Sequence, residues 1–277
     1  ALQAGNDVYL IDVGQGAARQ FTLSRPTDEP PSAAFRRLRG IFLTHLHSDH
    51  VMDLNNVLLC STNQGWPDAP VDIWGPGPGD TVGTEKFVEM VVAAYRIDER
   101  SRAAEAASMG RVIAHNIEVP AQSAVAVYSD ENVTVTAAVT EHGATHPCFA
   151  YRFDTAAGSV VFSGDTSPVR NVIALARGAD VLVHEAMHPR IAEWLGPTRD
   201  DTRTKAVLAK HTPIDRLSSL AGEAGVGLLV VAPLAPGDLT DADWRTALGG
   251  YDGRVVIGED LMCIAPSAIP HHWEVPK

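Results

Sequence analysis

Cysteine is scarce in this sequence. Cys60, Cys148 and Cys263 are odd in number and far apart. That excludes a disulfide framework and a cysteine-rich zinc site, and leaves buried thiols as the plainest role. Long apolar runs are absent too. No stretch reaches the roughly 18 residues a membrane span needs, so no membrane partner is expected. Basic charge is short: 22 Lys and Arg stand against 34 Asp and Glu, a net charge of −12. Affinity for nucleic acid rests heavily on Lys and Arg neutralising phosphates, so the balance argues against an RNA or DNA partner. A basic-then-apolar signal segment is also missing. The opening ALQAGNDVYLIDVGQG runs at once into a strand-like stretch, as if entered partway through a domain. Location stays open between cytoplasm and periplasm.

What is present is ordinary globular material, 45% hydrophobic and 20% charged over 277 residues. Val8–Val13 reads as a buried strand ended by Gly14-Gln15-Gly16, and Gly40–Thr44 as a second. Helical patterns cover 17–24 and 51–60, and a further strand covers Val71–Trp74. The longest helical pattern spans 81–108, with Phe87, Val91, Ala94 and Tyr95 at helical spacing. Strand candidates follow at 111–119, 124–128, 132–140, 148–154 and 159–163. Helices are expected at 168–177, 201–210 and 214–224, and strands at 180–184, 227–232 and 254–258. The interspersion predicts one α/β domain over 1–277, with a helical insertion at about 81–108.

Residues 41–54, IFLTHLHSDHVMDL, place His45, His47, Asp49 and His50 within six positions after an apolar run. On extended backbone His45 and His47 point to one side. Asp49 and His50 fall where the chain turns into a helix, so one loop presents ligands to two adjacent points. Imidazole and carboxylate suit zinc, and also iron or manganese. A polar helix N-terminus capped by Ser48 or Asp49 is the competing reading. It leaves most of the cluster unexplained.

HLHSDH matches the H-x-H-x-D-H signature of the metallo-β-lactamase superfamily, and the resemblance extends over nearly the whole chain. It implies a four-layer αββα sandwich and a hydrolase with Zn2+ as cofactor. In TEHGATHPCFAYRF, His142 resembles the third histidine of the first metal site, with His146 as competitor. The pattern with Pro147, Tyr151 and Arg152 is similar to the ribonuclease Z and arylsulfatase-like branch. Asp165 in VVFSGDTSP resembles the aspartate that bridges two metals. The resemblance thus implies one metal on His45, His47 and His142, and a second on Asp49, His50 and Asp165. Three protein ligands with an open position is the arrangement of a catalytic zinc. Asp49 would also orient the attacking water, and Asp12 in YLIDVGQG either holds the metal loop through hydrogen bonds or is a simple strand-end aspartate.

The pattern departs from the family at one place. A last histidine is due in LLVVAPLAP, residues 228–236, and Pro233 stands there. One tight zinc beside a weakened or altered second site is therefore expected. His146, His184, His188 and His211 are the candidate substitutes. A further motif, VLVHEAMHP at 181–189, resembles the HEAT-like motif of ribonuclease Z, and His211 in KHTPID resembles the histidine paired with its glutamate. On that match Glu185 orients His211, and His211 protonates the leaving group. The competing reading is a His211 that caps or packs near a helix start and a Glu185 in a structural ion pair.

The acidic balance and a gap of only 23 positions between His142 and Asp165 point away from tRNA. The gap leaves no room for the tRNA-gripping insertion that the resemblance associates with many of these enzymes. The expected substrate is a small, aromatic molecule, with metal-bound hydroxide attacking in arylsulfatase-like ester hydrolysis. Hydrolytic dehalogenation, phosphodiester or lactone hydrolysis, and a non-catalytic metal-binding role are the alternatives. Trp66, Trp74, Tyr95 and Phe149 are pocket or core candidates, and the 81–108 helix a pocket cover or a homodimer face.

Overall fold

The computed structural model describes residues 1–30, 32–64, 70–79, 82–96, 112–119, 124–196 and 202–266. The chain divides into two compact units, Ala1–Val119 and Pro120–Lys277. The metal motif lies in the first unit. Both stretches with the ribonuclease Z-like constellation lie in the second.

The first unit is built on a five-stranded sheet. Strands β1 (Leu2–Ala4) and β2 (Asp7–Ile11) are antiparallel; β3 (Leu38–Phe42), β4 (Val71–Pro76) and β5 (Val112–Ile117) continue it in parallel, in chain order. Helices α1 (Ala17–Leu23), α2 (Ser32–Arg36), α3 (Ser48–Val51), α4 (Leu54–Gln64) and α5 (Thr84–Ala94) fill the connections. Strand alternation sets the core: Val71 and Ile73 of β4 are fully buried and join Leu10, Ile41, Phe35 and Leu54 in it, while Asp72 and Trp74, which alternate with them, are half-buried. The helix expected at 51–60 is two pieces. At the break, Asp53 gives its backbone N–H to Val13 and accepts from Ala18 N–H. Of the pattern at 81–108, α5 is the described part; 97–111 lie outside the described residues.

The second unit carries a seven-stranded sheet in the order β12-β11-β10-β9-β8-β7-β6. Strands β6 (Val125–Ser129), β7 (Val133–Val139), β8 (Phe149–Thr155) and β9 (Gly158–Phe162) form an antiparallel meander. Then β10 (Val181–Met187), β11 (Leu228–Ala235) and β12 (Val255–Ile257) add in parallel. Helices α6 (Arg170–Leu175), α7 (Ile191–Trp194), α8 (Thr202–Ala209), α9 (Ile214–Ala224) and α10 (Asp241–Leu248) accompany it. Pro213 and a left-handed Gly225 bracket α9. Its Ile214, Leu217, Leu220, Ala221 and Ala224 pack with Leu182, Leu229 and Val231 of the strands. Parallel strands deliver their following loops to one end of the sheet, which is where ligand sites form in such sheets.

Helix α10 escaped the periodicity reading because only Trp244 and Leu248 are buried. Its signal is a capping box: Thr240 accepts from Asp243 N–H, and the Asp243 carboxylate accepts from Thr240 N–H. Thr240→Ala should cost about 1 kcal/mol, read as a lower denaturant midpoint. An unchanged midpoint would show that the cap contributes nothing.

Candidate metal centre

The histidine loop of the first unit is held from below by Asp12. This residue ends β2 in a left-handed conformation, φ 55°. Its Oδ1 accepts the Thr44 N–H at 2.7 Å. Its Oδ2 accepts the Thr44 hydroxyl at 2.8 Å and faces His50 Nδ1 at 2.7 Å. A carboxylate on Nδ1 fixes the His50 tautomer and turns Nε2 outward for a metal. His45 is fully buried, its Nδ1 3.0 Å from the Thr44 hydroxyl. Its Nε2 lies 3.0 Å from His47 Nδ1. Two nitrogens bound to one tetrahedral zinc at ~2.1 Å stand roughly 3.4 Å apart, so this pair fits a shared ion with a small adjustment. His47, not Ser48 or Asp49, occupies the N-cap position of α3, with no side-chain cap. The Asp49 side chain is 75% exposed, its Oδ2 3.8 Å from His50 Nε2.

Two backbone bonds pin the loop to β2: Val13 N–H to His50 O at 2.8 Å, and Asp53 N–H to Val13 O at 2.9 Å. Gly14 is needed for that approach, because a Cβ there would stand 2.1 Å from the Asp49 carbonyl oxygen. The tight pairing of Gly14 with the loop, and the role of Thr44, carry no sequence signal beyond a glycine and a threonine near a motif.

In the second unit His142, Asp165 and His211 bring ligand atoms within 4.8 Å of one another. His142 follows β7 and is 1% exposed. Its Nδ1–H donates to the Lys210 carbonyl at 3.0 Å, and its Nε2 lies 3.8 Å from Asp165 Oδ2. Burial pulls its pKa down to about 4 against the opposing pull of Asp165, so the imidazole is neutral, as a metal ligand requires. His146 is exposed.

Glu185 of β10 is 2% exposed. Its Oε1 accepts from His211 Nδ1–H at 3.0 Å, Thr166 N–H at 2.8 Å and Thr212 N–H at 3.3 Å. Its own N–H donates to the Ser163 hydroxyl at 3.1 Å. Burial works against charge on both members of the pair. At His211 the hydrogen bond and opposite charge of Glu185, with Asp165 3.9 Å away, outweigh burial and hold the imidazole above its ordinary pKa. Thr166 and Thr212, which complete this carboxylate's partners, were not singled out in the sequence.

Pro233 sits in a β-bulge. His184 pairs with Val231 and Ala186 with Leu234, so Ala232 and Pro233 together face Glu185. Proline, lacking an N–H, is tolerated at such an irregularity. Of the substitute ligands, His211 alone joins a ligand group among the described residues. His184 is fully buried with its Nδ1 on the Glu185 carbonyl oxygen at 2.8 Å, and burial lowers its pKa to about 4. His188 packs on Trp244, ring centroids 5.1 Å apart.

The aromatics offered for an aryl substrate have other partners. Phe149 is fully buried, Trp74 stacks on His115 at 4.0 Å, and the Tyr95 hydroxyl accepts from Asn55 at 2.7 Å. Trp66 lies outside the described residues. No described helix is long and apolar enough to cross a membrane.

Comparison with known proteins corrects the substrate. The model of the beta-lactamase superfamily domain matches residues 8–203. Ribonuclease Z of Mycobacterium sp. (strain KMS) is 31% identical, over 96% of this chain and 91% of its own. Ribonuclease Z of Mycobacterium bovis (strain BCG / Pasteur 1173P2) is 32% identical over 94% and 88%. Among solved structures, human tRNase Z, short form, aligns with TM-score 0.66 at 21% identity, covering 95% of this chain and 90% of that one. The metallo-beta-lactamase fold protein YhfI from Bacillus subtilis aligns with TM-score 0.61 at 19% identity, covering 93% and 87%.

The expectations of a small aromatic substrate, arylsulfatase or dehalogenase chemistry, and no nucleic-acid partner are overturned by the ribonuclease Z relatives. The two arguments behind them fail for physical reasons. Net charge averages over a whole surface, and bound cations add positive charge at the site itself. The 23 positions after His142 are spent on the β8–β9 hairpin, and the relatives named ribonuclease Z still match this chain over nearly its whole length.

Gly14→Ala tests the loop clamp. It should cost about 1–3 kcal/mol through forced overpacking and lower metal content after dialysis. Unchanged thermal midpoint and metal content would show that the Gly14 approach to Asp49 is dispensable. The superfamily model covers most of the chain, and curated relatives 31% identical span nearly all of it. The His/Asp groups suit a divalent metal. The chain therefore belongs to the metallo-β-lactamase superfamily and is a metal-dependent hydrolase.

Proposed function

We propose that the chain hydrolyses phosphodiester bonds of RNA. The observation that carries this reading is the buried Glu185–His211 pair, 3.0 Å apart, in a chain whose relatives at 31–32% identity are named ribonuclease Z. Cleaving a phosphodiester expels an alkoxide, which needs a proton. An imidazole whose pKa is held up by a buried carboxylate, within a ligand group, is a suitable donor.

His45, His47 and His142 would hold one divalent metal, taken as zinc, and Asp49, His50 and Asp165 a second. The support is the donor chemistry in each unit: histidines fixed at one nitrogen by Asp12, Thr44 or the Lys210 carbonyl. When bound, the metal supplies Lewis acidity to a phosphoryl oxygen and lowers the pKa of water. Asp49, with its open side chain, would orient the attacking water. Glu185 would hold the His211 Nδ1–H, so that the proton on Nε2 is the one given to the leaving oxygen. Pro233 offers no ligand atom where a histidine is expected, so the second metal would bind more weakly than the first.

His211→Ala should lower turnover of an RNA oligonucleotide by about 10²–10⁴-fold with metal content unchanged; equal turnover would remove His211 from the mechanism. The charge of Glu185 raises the His211 pKa, so the proton is present below that pKa and activity falls as pH rises through it. Glu185→Gln removes the charge, and the alkaline limb of the kcat profile should move to lower pH. A limb that stays put would show that Glu185 does not tune His211. Metal analysis after dialysis should find one tightly retained zinc per chain, and two would defeat the weakened-site reading.

A further inference from the structure

Beyond the bulge at Pro233, β11 continues to Ala235 and forms one wall of a cavity of about 260 Å³ in the second unit. Leu234 and Pro236 line it, Ile191 and Trp194 of α7 close the other side, and Asp238 stands at its rim. The cavity begins one residue past the position that faces Glu185, since Ala186 pairs with Leu234 and Met187 with Ala235. It thus lies at the carboxyl ends of β10 and β11, where ligands bind in parallel sheets.

Its composition narrows the occupant. Ile191 is buried, whereas Trp194 is 66% exposed, the most exposed large apolar side chain described. A tryptophan left in water beside an apolar floor presents an aromatic face to a flat partner. The volume falls below the ~300–1,000 Å³ of sites for drug-sized ligands, which suits one ring system. The Asp238 carboxylate repels phosphate and accepts hydrogen bonds from amino groups. Phosphate is therefore disfavoured inside, and a ring carrying N–H donors is favoured.

We infer that this cavity takes one unstacked nucleobase of the RNA, stacked on Trp194 with its amino edge toward Asp238. This rests on the phosphodiesterase reading above. RNA is read mostly through such splayed bases on aromatic side chains. A stacking contact also suits a chain with few cations, because every base offers a π-face whatever the salt.

Adenosine 5′-monophosphate, cytidine 5′-monophosphate and ribose 5-phosphate are titrated into the full chain, with affinity read by calorimetry for every variant and tryptophan fluorescence followed in the wild-type protein. Both nucleotides should quench emission and ribose 5-phosphate should not. Trp194→Ala should weaken nucleotide binding about 5- to 150-fold, the worth of one base–aromatic stack, and Trp194→Phe should restore most of it. Absence of quenching, equal binding of ribose 5-phosphate, or wild-type affinity in Trp194→Ala would overturn the inference. Chelator-sensitive hydrolysis of bis(p-nitrophenyl) phosphate by the wild-type protein is measured alongside. If that hydrolysis fails, the phosphodiesterase reading falls whatever the nucleotides do. If it succeeds without Trp194-dependent binding, the base subsite alone falls.

Discussion

The buried carboxylate of Glu185 is the constraint on which the second unit's site depends. At 2% exposure a carboxylate is costly unless its oxygens find donors. Here the donors come from Thr166, His211 and Thr212. Those residues belong to the loop after β9 and the turn before α9, segments far apart in sequence. Satisfying one acid therefore fixes the Asp165 loop and the His211 loop together. The Thr212 hydroxyl adds a direct tie to the Thr166 carbonyl at 2.7 Å. The positions of Asp165 and His211 follow from a solvation requirement at a residue that is not itself in the ligand group.

Asp12 plays the matching part in the first unit. One carboxylate satisfies the backbone and hydroxyl of Thr44 and the Nδ1 of His50. In both units a carboxylate lies behind an imidazole and determines which ring nitrogen faces outward. That removes the tautomeric freedom of the ring and raises its basicity toward whatever the other nitrogen meets. The left-handed backbone of Asp12 and the glycine two residues on are the cost of bringing β2 this close to the loop.

The fold was legible where apolar patterning is dense. The strands at 8–13, 132–140 and 180–184 and the helix at 214–224 were read close to their observed bounds because each buries a continuous stripe. Helix α10 was not read, since its start is fixed by the Thr240–Asp243 capping box and not by periodicity. The HLHSDH cluster was legible as a set of candidate ligands because four side chains able to ligate a metal in six residues are rare by chance. Thr44, Thr166 and Thr212 were not, because a threonine's role depends on which carboxylate lies nearby, and only the fold decides that. Pro233 was legible as a gap in a pattern, but its pairing opposite Glu185 is a matter of strand register. The substrate was misread because composition reports the average surface, whereas recognition is decided by a few local groups.

The net charge of −12 still constrains the proposed RNA chemistry, though differently from a simple exclusion. Affinity drawn from phosphate contacts scales with the number of phosphates that Lys and Arg neutralise, and so does its loss with salt. A chain with 22 basic residues among 34 acidic ones has little scope for a long electrostatic track. Affinity must then come from few phosphates, held where cations are bound, and from uncharged contacts to bases. Both sources favour a short, locally unpaired stretch over a long duplex, because duplex bases offer no faces to stack on. The short span from His142 to Asp165, spent on the β8–β9 hairpin, acts in the same direction, since it leaves no room there for distant contacts. Acidity and compactness on this reading define a small footprint on the nucleic acid, and they are compatible with hydrolysing it.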